Sequence, residues 1–470
     1  MPAQGKGDIP VAPSSTSGAS ATGMSPLRLR QRGSVLVLVL WIAFGLVMLA
    51  LYFANSMTLE LRGAQNRVAS VEAEHAINGA SRYVSYALTY YGTNGILPNL
   101  TQDLPGFYTT ATRIGECDYW LLGRSDQQLR PERATFGLVD EASRLNLNTA
   151  TAELLQLLPR MTVELAAAIV DWRDADSTPL ENGAEDEVYN RLTPPRTTKN
   201  APFETTEELR LVNGFTLEIL YGEDTNLNGV LDPNENDGED SAPFDNRDSR
   251  LDPGLLEYVT VYSQQPNTRA DGSARINITQ ANQRRTLTNT WSEVLGESRT
   301  REIITAVGNG NLTSVLQFYA RSGLTTDEFA LVHTDLTSSN APPVGLVNVN
   351  TASAAVLACI PGIGVELAPA LVAFRASNPT RLTSMAWVTE ILDATAIQTA
   401  GRYLTDQAYQ PVADIAALGA NGRGFRRLRI VFDTSETTPK ILFRRDLTSL
   451  GWPLSAEVRA ELQLAKETRP

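Results

Sequence analysis

The run from Asp224 to Glu235 places oxygen-bearing groups at its first, third, fifth, seventh, ninth and twelfth positions. That is the ligand order of an EF-type calcium loop. Asp224, Asn226 and Asn228 would each give a side-chain oxygen and Val230 its carbonyl. Asp232 would bind directly or through water, and Glu235 with both oxygens, while Gly229 permits the sharp turn. Pro233 and the absence of an amphipathic pattern after Glu235 point to a structural ion rather than a hand that opens. The loop lies in a stretch, 223–252, holding ten acids and only Arg247 and Arg250 as bases. A solvated acidic loop is the plain alternative, and the mutual repulsion of so many carboxylates favours calcium over it. A weaker second group, Asp174, Asp176, Glu185 and Asp186, reads first as a solvated, partly capped face.

Other site chemistry is thin. The 470 residues hold two cysteines and two histidines, too few for a disulfide framework or a histidine-rich zinc site. His75 and Cys117 stand far in sequence from His333 and Cys359, so no catalytic cluster is visible, and an enzyme is not expected. Cys359 reads as a buried small hydrophobe; a Cys117–Cys359 disulfide is the alternative. A net charge of -13 has the wrong sign for a protein that coats nucleic acid. Mean hydropathy of -0.17 excludes both a multi-span membrane protein and a wholly disordered one.

The elements that position these groups begin with a leader. Residues 1–25 are rich in Ser, Ala, Gly and Pro and read as disordered, and Arg28, Arg30 and Arg32 precede Gly33. No charge then occurs from Ser34 to Leu59. Roughly 20 residues of helix cross a bilayer, so 34–53 can span it, and the arginines predict a cytoplasmic N-terminus with everything after the span outside. The helical pattern continues: Met57, Leu61, Ala64, Val68 and Val71 form one stripe, and Ala73, Ile77, Ala80, Val84, Ala87 and Tyr91 another. The expectation is a single helix of about 58 residues, on the order of 85 Å long, apolar all round in its first half and amphipathic over 54–93.

Basic residues, Gly33 and a long apolar run continuing into an amphipathic helix resemble the class III signal of type IV pilins and secretion pseudopilins. The resemblance implies cleavage by the prepilin peptidase after Gly33 and methylation of the new amine on Ser34. Most such chains carry Glu at the fifth mature position, where this one has Leu38. A carboxylate there neutralises a neighbouring amine inside the membrane, where an unpaired charge is costly. A subunit lacking it suits the end of an assembly. The general secretion pathway protein K family has this departure, and Val37 to Trp41 is similar to its start. The stretches 139–150, 169–176, 183–189, 200–203 and 207–214 are similar to that family's motifs, in order.

The chain also repeats itself. Leu145-Asn146-Leu147-Asn148-Thr149-Ala150 returns as Val347-Asn348-Val349-Asn350-Thr351-Ala352, and Trp172-Arg173 as Phe374-Arg375, all at an offset of 202 (347 − 145). Each copy reads as a helix-hairpin-helix with Asn148 or Asn350 as the first N-cap. Arg275 to Thr279 reads as a degenerate third copy, within a stretch, 263–345, that is otherwise uninterpreted. Pro361-Gly362-Ile363-Gly364 can present amides to a phosphate, and residues 348–375 also resemble membrane-anchored competence receptors for DNA. The alternative function implied is a DNA receptor of a competence or type IV pilus system. Few cations flank it, and in the first copy Arg160-Met161-Thr162 replaces the glycines; nucleic acid is not the expected partner.

Strands are expected at 119–123, 134–139, 256–262, 428–432 and 440–445. The predicted fold class is α+β: a pilin-like N-terminal helix, a small antiparallel sheet, and a large inserted α-helical domain with duplicated helix-hairpin-helix units. The expected segments are a leader, 1–33; a membrane half-helix, 34–53; an amphipathic half, 54–93; a first sheet part, 106–140; and a first hairpin copy, 141–222. The acidic loop, 223–252, follows, then strands and an uninterpreted insertion, 253–345, a second hairpin copy, 346–412, and a strand pair, 425–450. The family resemblance implies a minor pseudopilin at the tip of the type II secretion pseudopilus, anchored in the bacterial inner membrane with a periplasmic globular part. It implies as partners the minor pseudopilins of the I and J types, the major pseudopilin, the prepilin peptidase, the inner-membrane platform and exported cargo.

Overall fold

The computed structural model describes residues 34–91, 95–100, 109–124, 134–269, 271–419, 422 and 424–455. The expected cleavage residue Gly33 and its leader lie outside these, as does the Ser34 side chain. The chain forms two compact units, one up to Ala64 and one from Gln65 onward.

Helix α1 covers Ser34–Tyr91, matching the expected span. In the first unit every large apolar side chain from Val35 to Leu61 is more than half exposed among the described residues. In the second unit α1 buries Ala69, Ala73, Ala76, Ile77, Ala80, Val84, Ala87 and Leu88. Val68 and Val71, which the spacing assigned to the buried stripe, are exposed instead. The packed face runs through alanines because neighbouring backbone comes close: a Cβ on Gly424 would stand 2.7 Å from the Ser70 amide nitrogen.

The main sheet is antiparallel throughout. Its strands are β1 (Thr112–Ile114), β2 (Cys117–Leu122), β3 (Val139–Asp140), β4 (Pro411–Leu418), β5 (Phe425–Asp433) and β6 (Lys440–Asp446). The spatial order is β1-β2-β4-β5-β6, with β3 following β2 along the same edge of β4. Side-chain alternation sends Tyr119, Leu121, Ala413, Ile415 and Ile430 into the core with α1. Trp120, Leu122, Ala416 and Leu418 face the other way, onto Trp452 and Leu454. The C-terminal pair β5–β6 forms as expected. Central strand β4 does not stand out by hydropathy, because it opens on proline, is rich in alanine and carries Asp414 at its middle. The stretch expected as a strand at 256–262 holds only the two-residue strand Val259–Thr260, preceded by the end of a 3-10 turn, Leu255–Glu257.

Between β3 and β4 the chain inserts three units of one design around one continuous apolar core. Each opens on a two-residue strand paired in parallel with one near its end. The pairs are Leu145–Asn146 with Val259–Thr260, Ile276–Asn277 with Leu336–Thr337, and Val347–Asn348 with Leu404–Thr405. The opening asparagine's Oδ1 accepts the amide two residues on: Asn148 at 2.8 Å, Thr279 at 3.0 Å and Asn350 at 2.9 Å. The closing threonine's Oγ1 likewise accepts the amides of Tyr262, Ser339 and Gln407. In each unit an arginine, Arg173, Arg284 or Arg375, donates to the carbonyl just after the asparagine. The duplicated domain is thus triplicated, and the uninterpreted stretch holds the middle copy. Its sequence is hard to read because Trp291, Phe318 and Phe329 fill its core from differently spaced helices.

Asn148 and Asn350 are not helix caps. The first hairpin helices start at Ala152 and Ala354, and Ser353 caps the latter through the Val356 amide. Asn148 instead bonds both the amide and the carbonyl of Phe203, at 2.7 and 2.9 Å. Asn350 accepts the Trp387 indole N–H and donates to Leu382. Both therefore tie a hairpin to the later part of its own unit.

Candidate functional site

The second acidic group forms where the helix Val163–Arg173 ends. Asp174 is its C-cap, Asp176 follows, and the return through Gly183 brings in Glu185. Carboxylate oxygens of Asp174, Asp176 and Glu185 lie within 4.8 Å of one another. A point central to three atoms so spaced lies at most about 2.8 Å from each, a few tenths of an ångström beyond a calcium–oxygen distance of roughly 2.3–2.6 Å. A small closing movement brings all three onto one cation. Asp174 Oδ1 and Glu185 Oε1 are buried without a hydrogen-bond partner, and Glu185 is 4% exposed. Burial pushes Asp174 up, with Asp176 adding to it. Burial likewise raises Glu185, reinforced by Asp171 and Asp174. These residues fit a hard cation.

Asp186, grouped with them by sequence, points elsewhere: its Oδ1 accepts the Thr198 amide at 2.8 Å and hydroxyl at 2.7 Å. Asp171 completes the support from below, with its two oxygens on the Leu180 and Ala184 amides. A Cβ at Gly183 would overlap Asp171 Oδ2 at 1.9 Å, so glycine is needed for the return to close.

The twelve-residue loop folds around its own carboxylates. Asp224 accepts the Asn228 and Gly229 amides at 2.9 Å each. Asn226 Oδ1 and Asn228 Oδ1 accept the amides two residues on. Asp232 Oδ2 gathers the side-chain amides of both asparagines, at 2.7 and 3.0 Å. Gly229 sits at φ +70, as the turn requires, and Val230 is buried. Glu235 caps the Asp232 amide through Oε2, while Oε1 is buried and unpartnered. Burial, with Asp224 and Asp232 nearby, pushes Glu235 up to about 8. The orphaned oxygen fits a cation, yet the three acids do not gather as closely as the Asp174 group. Among the described residues that group is the better-formed cage, the reverse of the order expected from motif matching.

Arginines lock the loop to the sheet. Arg427 donates to the carbonyls of Asn226 and Leu227, and Arg124 to those of Leu227 and Asn228. Sequence patterning missed these partners because they stand about 100 and 200 residues away. Leu227 holds φ +55, which turns its carbonyl outward to both guanidinium groups.

The glycine hairpin is spent on internal packing. Ile363 and Gly364 amides both donate to Ile360 O, at 3.0 and 3.3 Å. A Cβ on Gly362 would meet Ala396 O and Thr399 at 3.1 Å. Arg375 is buried on Val349 O, and Arg381 pairs with Glu390. The two cysteines form no disulfide with each other and lie in separate cores, Cys117 beside α1 and Cys359 in the insert; burial pushes the Cys359 thiol up to about 12.

A long N-terminal helix, a small antiparallel sheet and a helical insert define a pilin-like fold class. The family profile for Type II secretion system (T2SS), protein K matches residues 138–221, and the helix-hairpin-helix motif matches residues 344–390. Type II secretion system protein K of Klebsiella pneumoniae is 45% identical over 67 residues, 14% of this chain and 21% of that protein. The Pectobacterium carotovorum subsp. carotovorum protein of the same name is 26% identical over 216 residues, 41% of this chain and 61% of that one. The Aeromonas hydrophila protein is 28% identical over 203 residues, 40% and 61%. The chain is thus similar to the type II secretion protein K family, and it spans between 21% and 61% of the length of these relatives. A crystal structure of the GspK-GspI-GspJ complex from the enterotoxigenic Escherichia coli type 2 secretion system contains a similar chain. The match has 13% identity and a TM-score of 0.37, over 82% of this chain and 99% of that one. At that score the likeness carries no argument.

Proposed function

We propose that this protein is a minor pseudopilin capping the type II secretion pseudopilus. Its observation of greatest weight is the run Val35–Leu61, in which every large apolar side chain is more than half exposed. Such a surface requires lipid or neighbouring helices. The helix Val35–Tyr90 is long and apolar enough to cross a membrane. Leu38, with no carboxylate to offer a preceding subunit's amine, suits the terminal position. The bulky three-unit insert blocks addition above it. Its work is assembly rather than chemistry, with other minor pseudopilins of the I and J types and the major pseudopilin as neighbours. The prepilin peptidase cleaves after Gly33, the secretion platform draws the helix from the inner membrane, and the globular part meets cargo in the periplasm.

The acidic cage Asp174–Asp176–Glu185 and the loop Asp224–Glu235 hold calcium in this reading. The ion supplies charge neutralisation only: it lets buried carboxylates remain ionised and fixes the turn that carries them.

Cysteines placed along α1 test the assignment by crosslinking in membranes. Capture of other pilin-like chains is expected. A helix found surrounded only by lipid, or an intact mass without loss of residues 1–33 and gain of one methyl group, rejects it. The buried Arg375, the ion-paired Arg381 and the self-satisfied amides of the hairpin disfavour a DNA receptor.

A further inference from the structure

The three units of the insert share one device at their opening asparagine, and the third obtains its partner from elsewhere. Asn146 Nδ2 donates to Ser263 Oγ at 3.0 Å, and Asn277 Nδ2 to Asn340 Oδ1 at 2.8 Å. Each acceptor lies three residues beyond the closing threonine, Thr260 or Thr337. The same count from Thr405 reaches Ala408, which has no side-chain acceptor. Asn348 Nδ2 donates instead to Asp140 Oδ2, at 2.8 Å across 208 residues. The Thr351 hydroxyl donates to the same oxygen at 2.7 Å, and Oδ1 accepts the Ala142 amide at 2.8 Å.

Asp140 lies in β3, at the entrance to the insert, and pairs with Pro411 at its exit. The Glu141 amide adds a bond to Gln410 O at 3.0 Å. Glu141 itself holds the first unit, through Arg144 and the Thr260 hydroxyl. Two adjacent acids in the stem therefore grip opposite ends of the insert: Glu141 the first unit, Asp140 the third.

We infer that the Asp140 carboxylate is the clasp that closes the third unit back onto the stem and so fixes how the whole insert sits on the sheet. Its three named partners are all donors. A carboxylate satisfies three donors, whereas an amide at that position must turn its NH2 toward one of them. The requirement is thus for an acceptor-only group, and the pair 140/348 has a definite polarity. Asp140 acts through Asn348 and Thr351 and is a positioning residue.

The polarity gives a reciprocal test on the full chain in detergent, read by hydrogen exchange of the Val347–Ala358 amides. D140N and N348D alone put two donors or two acceptors face to face. Each should speed local exchange about tenfold, the effect of losing one buried hydrogen bond. D140N/N348D together restore donor to acceptor and should return exchange to the parental rate, with Thr351 turning to accept. Single variants that fail to fold, rescued by the double variant, support the clasp equally. Unchanged exchange in the single variants overturns it, as does a double variant no better than either.

Discussion

Arg427, with no exposed side-chain surface, donates to both oxygens of Asp414 at 2.9 and 2.8 Å and to the Leu227 carbonyl at 2.6 Å. One guanidinium thereby joins the central sheet strand to the acidic loop of the insert. Burial alone would raise Asp414. Arg427 and Arg429 outweigh it and hold this carboxylate well below the usual range.

D414N should therefore cost about 3–5 kcal/mol, because it leaves Arg427 charged and buried without its anion. The depressed group contributes stability above the unfolded carboxylate value of 3.8, and that contribution is lost as pH falls through the folded value. Denaturant unfolding of parent and variant at neutral pH checks the loss, and their curves should converge on acidification.

Calcium at about 100 times its Kd should stabilise the full chain by about 2.7 kcal/mol per site. E185Q should remove the contribution of the Asp174 cage, whereas D186N should leave calcium binding intact because Asp186 faces Thr198. D224A with E235A should remove the loop's share. Asp174, Glu185 and Glu235 are all raised, so protons compete and calcium affinity should fall as pH is lowered. Thermal shifts with and without chelator read each case.

For Asp140 the sign is opposite to that of Asp414. Burial pushes it up to about 6, against the opposing bonds from Thr351, Ala142 and Asn348, from a reference of 3.8. Between those values the folded state binds more protons than the unfolded one. Its contribution to stability therefore rises as pH drops from about 6 to about 4, by on the order of 3 kcal/mol. Unfolding of the parent at pH 4 and pH 7, with D140N as the non-titrating control, checks this sign.

The middle unit can be checked at Asn277. N277A strips the Thr279 turn and leaves the Asn340 carbonyl oxygen with one donor fewer, at an expected cost of about 1–3 kcal/mol. A loss similar to that of N146A would reflect the shared design; a neutral outcome would deny it.

Much of the local order was legible in the chain. The 34–91 helix follows from an unbroken apolar run, an apolar stripe that continues it at helical spacing, and the lack of any proline over its length. The 202-residue offset reveals two hairpin units, because identical local geometry demands identical residues at turns. The β5–β6 pair follows from alternation. What stayed hidden depended on distant partners. Val68 and Val71 are apolar yet exposed, because proximity to the neighbouring backbone selects alanine on the packed face. Asn148 and Asn350 look like caps, yet bind backbone more than thirty residues on. The middle unit kept only its Ile276-Asn277 opening, Arg284 and Thr337, since these turns constrain few positions while a core accepts many apolar sets.

Sequence alone determined the apolar helix, the hairpin grammar and the inventory of carboxylates, since each rests on neighbours within a turn or two. Only the tertiary structure decided which carboxylates meet. It gathered Asp174, Asp176 and Glu185, turned Asp186 aside, and set Asp140 against Asn348 and Arg427 against Asp414. Charges act through space, and chain order does not fix those distances until the sheet and its insert have closed.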